Sequence, residues 1–537
     1  MKINFYRKHK LRIYLFLILL LAFSLQIIFF IGFSNHPSDE GIIIGNSYAI
    51  YQGNFNSILS EYKNLRKDGL YDPSEAFRFR PLFLYPIAFF WRLFGINDYS
   101  TVLWVMITYL GTIVVTYKIG ENLFNKKVGL ISAFLISICP LQLLYSTRVS
   151  IDTPLAFFMG LSVFFFIKGN EYLNKTSRLK QEGKNSRKYF LLSGLCLGFG
   201  YLTKISALPL FGFFFLYFIY KKRFNRIVFW LILGFIIIFV VESLYYYIFT
   251  NHFFIRVIMN KGFIENKIIH EPTGDVTFLN LIKISYLESS PFFYLEYITG
   301  KASYIEYPYP RVEIFCFFIL LSTLYFIFHR KESTNVLLIW LIILFLWLEF
   351  GPASIKFSSN YLIEYWVIQK HDRYMMIILI PSILILSNFL YSLKDRAAQL
   401  IILMTIVIFS IYFVNISSKS FNDVLSDVRD AYNFLRYIPN KTIYCDGLCV
   451  SFLDYYFGFK NTKYLNFVPI NITDENIVKN SYVIVGGSRT FGICCIENMQ
   501  PKFIDNKPPD NWELIKTFKK EKKPWRDSNM SIYYVNS

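Results

Sequence analysis

The sequence predicts a polytopic α-helical membrane protein with a small C-terminal α/β domain, and three observations carry that reading. The chain of 537 residues is 54% hydrophobic and 20% aromatic, with mean hydropathy +0.38. Its apolar runs are mostly about 16–24 residues long, the length that crosses a bilayer as helix. They do not alternate, so helices are favoured over barrel strands, the other structure that satisfies its backbone in lipid. From about Phe421 the pattern changes to short strand-like runs separated by Asn, Lys and Pro.

The first apolar run, about Ile13 to Phe33, follows a basic stretch. At about twenty residues, with no clear cleavage site, it reads as a retained span and not a signal peptide. Further spans are predicted at 100–118, 128–146, 151–168, 189–203, 205–220, 227–249, 311–328, 336–350, 374–391 and 397–416, eleven in all. The segment 81–94 is apolar but short and holds Pro81, Pro86 and Arg92. Counting it as a span would put the loops Lys175–Lys188 and Lys221–Arg226 outside; omitting it puts every basic loop inside. The positive-inside rule therefore makes it an interfacial or re-entrant helix, with a cytoplasmic N-terminus and an external C-terminal domain. The same rule accounts for the net charge of +19, so nucleic acid is not expected as a partner.

Three external loops follow from this topology: 34–99, about 250–310, and 351–373. Residues 1–420 form the membrane domain and 421–537 the external α/β domain. In the latter, Phe421–Tyr437 is helical in pattern, and 442–446 and 482–485 read as strands. Cys139, Cys196 and Cys316 lie in apolar runs and read as buried hydrophobes. Cys445, Cys449, Cys494 and Cys495 suit disulfides better than zinc, given an external location. Asn440 and Asn471 open sequons.

Ionisable residues at the ends of apolar runs are costly, about +2.5 to +3.5 kcal/mol when central, and usually mark a site. Asp39 and Glu40 follow the first span; Arg80, Arg148, Asp152, Lys204, His371 and Arg373 fall at the same predicted face. Each has an ordinary alternative. Asp39 could cap a helix, Arg80 could snorkel, Arg148 and Asp152 could pair four residues apart, and His371 and Arg373 could be flank charges. Lys204 lies between two apolar runs with no acid close in sequence, so it resists such an account. The functional alternative is one anionic group, most simply a lipid phosphate or pyrophosphate, held by the cations at the external face. No DxD or ExD acid set appears in the first two external loops, and no Walker, HExxH or GxSxG motif at a credible position. ATP-driven transport and metallo-hydrolysis are thus unsupported, and no cofactor or metal is expected.

Five short motifs, in order across roughly 1–400, resemble the protein O-mannosyltransferase-like and aminoarabinose-transferase-like membrane glycosyltransferases of the C-type fold. They are Asp39-Glu40-Gly41; Phe79-Arg80-Pro81 running to Tyr85-Pro86; Ser150-Ile151-Asp152-Thr153-Pro154; Gly194 through Thr203-Lys204; and His371-Asp372-Arg373-Tyr374. Thr153 intervenes where the family has Asp next to Pro. The resemblance implies a polyprenyl-phosphate-linked sugar donor and inverting transfer at the outer face to an acceptor protein, lipid or glycan. By position it makes Asp39 the base, supported by Glu40. Arg80, Lys204 and Arg256 (with Lys261 close behind) would bind the donor phosphate, while Arg148, Asp152, His371 and Arg373 would shape the site. The rival readings are a flippase for lipid-linked sugars, disfavoured because no inverted repeat is evident, and an oligosaccharyltransferase, which would need a metal-binding acid set. The sugar, the acceptor, the lipid length and the oligomeric state are not legible.

Overall fold

The computed structural model describes residues 2–33, 39–63, 78–175, 180–221, 227–270, 272–278, 281–287, 292–299, 313–356, 362–367, 370–437, 441–445, 453–459, 465–469, 480–485, 512–518 and 530–536. The side chain of Asp39 lies outside the described residues, as do Asn440, Cys449, Asn471, Cys494, Cys495 and the side chain of Cys445.

The protein is a multi-pass helical bundle. Among the described residues, seven helices are long and apolar enough to cross a membrane: Leu11–Ile28, Asp98–Leu123, Asp152–Leu173, Val228–Thr250, Glu332–Phe350, Asp372–Ser392 and Arg396–Asn422. Pro81–Phe94, Ile205–Tyr220 and Ile314–Phe328 are shorter apolar helices. The run predicted as one span at 128–146 is two helices, α6 (Lys126–Ile138) and α7 (Pro140–Tyr145), because Pro140 cannot continue the hydrogen-bond ladder. The span Asp372–Ser392 is 89% buried and forms the centre of the bundle. The first span is only 17% buried, and Val228–Thr250 and Arg396–Asn422 are 22% buried. Their outward Leu, Ile, Val and Phe side chains, such as Leu17, Val241 and Ile401, match a lipid environment.

Without a hydrophobic drive between helices in lipid, close backbone approach and internal hydrogen bonds hold the bundle. α9 (Lys180–Thr203) and α11 (Ile227–Thr250) meet through reciprocal glycines. A Cβ on Gly194 would sit 1.9 Å from the Leu231 carbonyl oxygen, and one on Gly234 would sit 2.3 Å from that of Leu191. The obstacle is backbone, which cannot rotate away. We expect Gly194→Val to destabilise the protein by at least about 1–3 kcal/mol, read as earlier thermal unfolding in detergent. Gly45→Ala, where nothing lies within 4 Å of the added carbon, should be tolerated. Many buried hydroxyls are satisfied internally: Thr108, Thr112 and Thr116 bond back to carbonyls of their own helix, and Ser162 of α8 (Asp152–Lys175) exchanges hydrogen bonds with Ser193 of α9.

The loop segments are more structured than their sequence suggests. After α1 (Lys2–Ile28) come α2 (Asp39–Gln52), α3 (Phe55–Ser60) and α4 (Pro81–Phe94), the last leading into α5 (Asp98–Leu123). Two loops far apart in sequence share a mixed sheet ordered β1-β2-β4-β3, built from Pro272–Phe278, Ile282–Leu287, Pro352–Lys356 (β3) and Ile363–Val367 (β4). β2 and β4 run parallel, from Ile282 beside Ile363 to Tyr286 beside Val367. β4 thereby delivers the segment Lys370–Arg373 to the head of α16 (Met376–Ser392).

The predicted helix 421–437 is not separate from the last span. α17 runs unbroken from Arg396 to Leu435, straight through the predicted domain boundary. Beyond it lies a five-stranded sheet ordered β6-β5-β7-β9-β8. Its members are Lys441–Cys445 (β5), Leu465–Pro469 (β6), Ser481–Val485 (β7), Trp512–Phe518 (β8) and Met530–Val535 (β9). β5 and β7 are the two strands expected from sequence.

Candidate active site

Arg148, Lys204 and Arg373 meet carboxylates from distant parts of the chain, whereas Arg256 meets one fourteen residues before it. Glu40, in the first turn of α2, accepts from Arg148 Nε at 2.9 Å and Nη2 at 2.6 Å, and both side chains are 2% exposed. Arg148 lies in the link between α7 and α8, with its guanidinium 4.8 Å from the Phe421 ring centre and 5.2 Å from that of Tyr145. The link is tied to the end of the first span. The Ile31 and Gly32 amides donate to the Thr147 carbonyl, and Gln26 Nε2 donates to Ser146 Oγ at 3.0 Å. Gly32 is required there: its φ is +82°, and a Cβ would sit 2.8 Å from Asp98 Cγ.

Asp152 opens α8, so it does not pair with Arg148 on one helical face as the spacing allowed. Its Oδ1 accepts from Lys204 Nζ at 2.7 Å, and Arg373 Nε lies 3.7 Å from its Oδ2. Lys204 has no acid nearby in sequence; the fold supplies one 52 residues away. The chain breaks at Lys204, whose φ and ψ of −156° and 139° end α9 before a 3₁₀ turn, Ile205–Ala207, and α10 (Leu210–Tyr220). Its ammonium stands 3.8 Å from the Tyr374 ring centre. Tyr145 joins the two clusters. Its hydroxyl lies 2.9 Å from both oxygens of Asp372, beside Arg373 in the chain. His371 places its ring edge-on to Tyr374, and its amide donates to the Tyr294 hydroxyl at 3.2 Å.

Arg256 sits near the start of α12 (Ile255–His270), buried against Glu242 of α11 and donating to the Tyr201 carbonyl. Its guanidinium lies 4.2 Å from the Tyr201 ring centre. Phe79, next to Arg80, packs edge-on to Tyr246, one turn beyond Glu242. Arg80 immediately precedes α4, in the N-cap position, and its side chain makes no capping hydrogen bond. A fourth pair, Lys370 Nζ to Glu349 Oε2 at 2.7 Å, is essentially fully buried. There Glu349 also accepts the Leu295 amide at 3.0 Å, and burial pushes the Lys370 ammonium below the ordinary lysine range against the pull of Glu349.

An apolar cavity of about 750 Å³ lies between α2–α3 and α4, lined by Phe55, Pro81, Tyr85, Phe89, Trp104 and Leu202 among others, and by none of the paired residues. Pro81 adjoins Arg80, and Leu202 is two residues before Lys204. Among the described residues no group of three His, Cys, Asp or Glu side chains is grouped to hold a metal ion.

Residues 79–247 match the family described as dolichyl-phosphate-mannose-protein mannosyltransferase. The structure of ArnT from Cupriavidus metallidurans in the apo state superposes with a TM-score of 0.59 at 13% identity, covering 96% of this chain and 97% of that one. The fold is that of the C-type membrane glycosyltransferases. The same ArnT bound to undecaprenyl phosphate gives a TM-score of 0.57 at 12% identity, over 96% and 97% of the two chains. An oligosaccharyltransferase from Archaeoglobus fulgidus, tethered with an acceptor peptide containing the NVT sequon, gives 0.50 at 12% identity, over 90% of this chain and 70% of that one. No curated protein matches.

Within this C-type fold the matched stretch contains Arg80, Arg148, Asp152, Lys204 and Glu242. Glu40, Arg373 and Asp372 reach it from outside. Sequence reasoning missed Glu242, Asp372, Tyr145 and the Lys370–Glu349 pair as members of the polar clusters. Glu242 was detectable as an isolated acid inside an apolar run. Asp372 stands inside a quoted motif. Tyr145 carries no sequence signal that separates it from the other tyrosines.

Proposed function

We propose that this chain is an integral-membrane glycosyltransferase. It moves a sugar from a polyprenyl-phosphate donor to an acceptor hydroxyl at the outer membrane face, with inversion and without a metal. The N-terminus is cytoplasmic and the C-terminal domain external in this reading. The observation that carries it is the pairing of two cations, Lys204 and Arg373, around the single carboxylate of Asp152. Their side chains are 11% and 14% exposed, against 2% for Asp152, Glu40 and Arg148. They are the more exposed charged members of these ion pairs.

Transfer leaves negative charge on the departing phosphate. Fixed cations in a partly dry site stabilise that charge without reorganising, and are worth more there than in water. Arg80 adds a third cation at the head of α4. The apolar cavity beside α4 suits isoprene units of the carrier. Undecaprenyl phosphate in one ArnT structure supports a carrier of that class. Arg256 is held by Glu242 and the Tyr201 carbonyl in the present arrangement, so a phosphate role for it requires exchange of those partners.

The test uses undecaprenyl phosphate as probe. Lys204→Ala should weaken its binding by about 10–100-fold, the scale of one charge-assisted hydrogen bond. Transfer from the cell's own lipid-linked sugars, followed by mass spectrometry, should fall further, because charge on the phosphate grows towards the transition state. Unchanged affinity together with an unchanged rate would remove Lys204 from the site.

A further inference from the structure

The start of α2, which carries Asp39, is gripped on both sides by the chain's C-terminal part. Upstream, the Ile31 carbonyl accepts from Arg429 Nη2 at 2.9 Å. The Phe33 amide donates to Asp98 Oδ1 at 3.4 Å, and the Tyr455 hydroxyl donates to the same oxygen at 3.0 Å. That hydroxyl is also 2.9 Å from Thr101 Oγ1, which accepts from Trp91 Nε1 at 2.8 Å. The Phe33 and Tyr455 rings meet edge-on at 4.7 Å, and both side chains are buried. Arg429 Nε also donates to the Tyr456 hydroxyl at 3.2 Å. Downstream, Tyr48 of α2 stacks on Phe459 at 4.1 Å and donates its hydroxyl to the Phe459 carbonyl at 3.2 Å. Phe421 lies against the guanidinium of Arg148, the partner of Glu40.

A tail that was merely tethered to the membrane domain would need one such contact. Here residues 421–459 touch the segment before Asp39, the helix after it, and the arginine that holds its neighbour. We infer that Arg429, Tyr455 and Phe459 are positioning residues, which fix the N-terminus of α2, the turn that opens at Asp39 and in which Glu40 holds Arg148. These contacts give residues 421–459 a part in holding α2 in place. The inference rests on the assignment of Asp39 as base. Misplacing a reacting group by about 1 Å can cost on the order of 100-fold in rate.

The experiment uses the full-length protein in detergent with Tyr455→Phe, which removes one hydroxyl, and Phe459→Leu as a second variant. Transfer from the cell's own lipid-linked sugars should show kcat lowered by about 10–100-fold, with KM for that donor and binding of undecaprenyl phosphate unchanged. Hydrogen exchange in the peptide covering α2 should quicken, while that of the central span Asp372–Ser392 should not. In an Asp39→Asn background, Tyr455→Phe should cost nothing further, because groups acting as a unit are not additive. Unchanged kcat in both variants, or α2 exchange identical to the parent, overturns the inference. If Asp39→Asn itself transfers normally, the base assignment fails, and α2 exchange alone then decides whether the tail holds this segment.

Discussion

Asp39→Asn is expected to lower sugar transfer by about 10²–10⁴-fold, the usual contribution of a positioned general base, with donor binding nearly intact. An acceptor hydroxyl is a poor nucleophile near neutral pH, so removing its proton in the transition state matters. Asn keeps the size and polarity of Asp and caps helices about as well, and Asp39 is the first residue of α2. Near-normal transfer by a well-folded Asp39→Asn protein would therefore identify a cap and not a base. The comparison is made with transfer rates and undecaprenyl phosphate binding on the same preparation.

The second large effect is on the Glu40–Arg148 pair. Arg148→Met should cost about 3–5 kcal/mol of stability, because it takes the guanidinium away from a buried Glu40 carboxylate. Glu40→Gln should also be severe, since it leaves the Arg148 guanidinium facing a neutral amide. Glu40 on this view anchors α2 and is not a mild assistant to Asp39. The double variant Glu40→Leu/Arg148→Met removes both charges together, and such replacements are often neutral or stabilising. Thermal unfolding of the two single variants and the double variant in detergent checks this. Single variants as stable as the parent would mean that the pair contributes nothing to the fold.

The buried pairs also explain where reading the residues alone went astray. Arg148 and Asp152 are four apart, and helical spacing invited a local bridge. The helix begins only at Asp152, so Arg148 is free to turn to Glu40 across 108 residues. Lys204 looked isolated because its acid, Asp152, is on another helix. The break at Pro140 was visible in the sequence but outweighed by the apolar run around it.

What the sequence determined by itself is the membrane-helical class, the position of the ionisable residues at helix ends, and the order of motifs that resemble the C-type enzymes. These follow from local properties: run length, apolar composition, and the cost of charge in lipid. Only the tertiary structure decided which acid meets which base, that the loops at 272–287 and 352–367 share one parallel-paired sheet, and that residues 421–459 reach back to both sides of Asp39. Those are long-range pairings. Several cations and several acids are chemically interchangeable as partners, so residue type cannot choose among them. The choice is made by helix–helix approach, such as that through Gly194 and Gly234, which sets the distances at which a buried charge finds its neutralising partner.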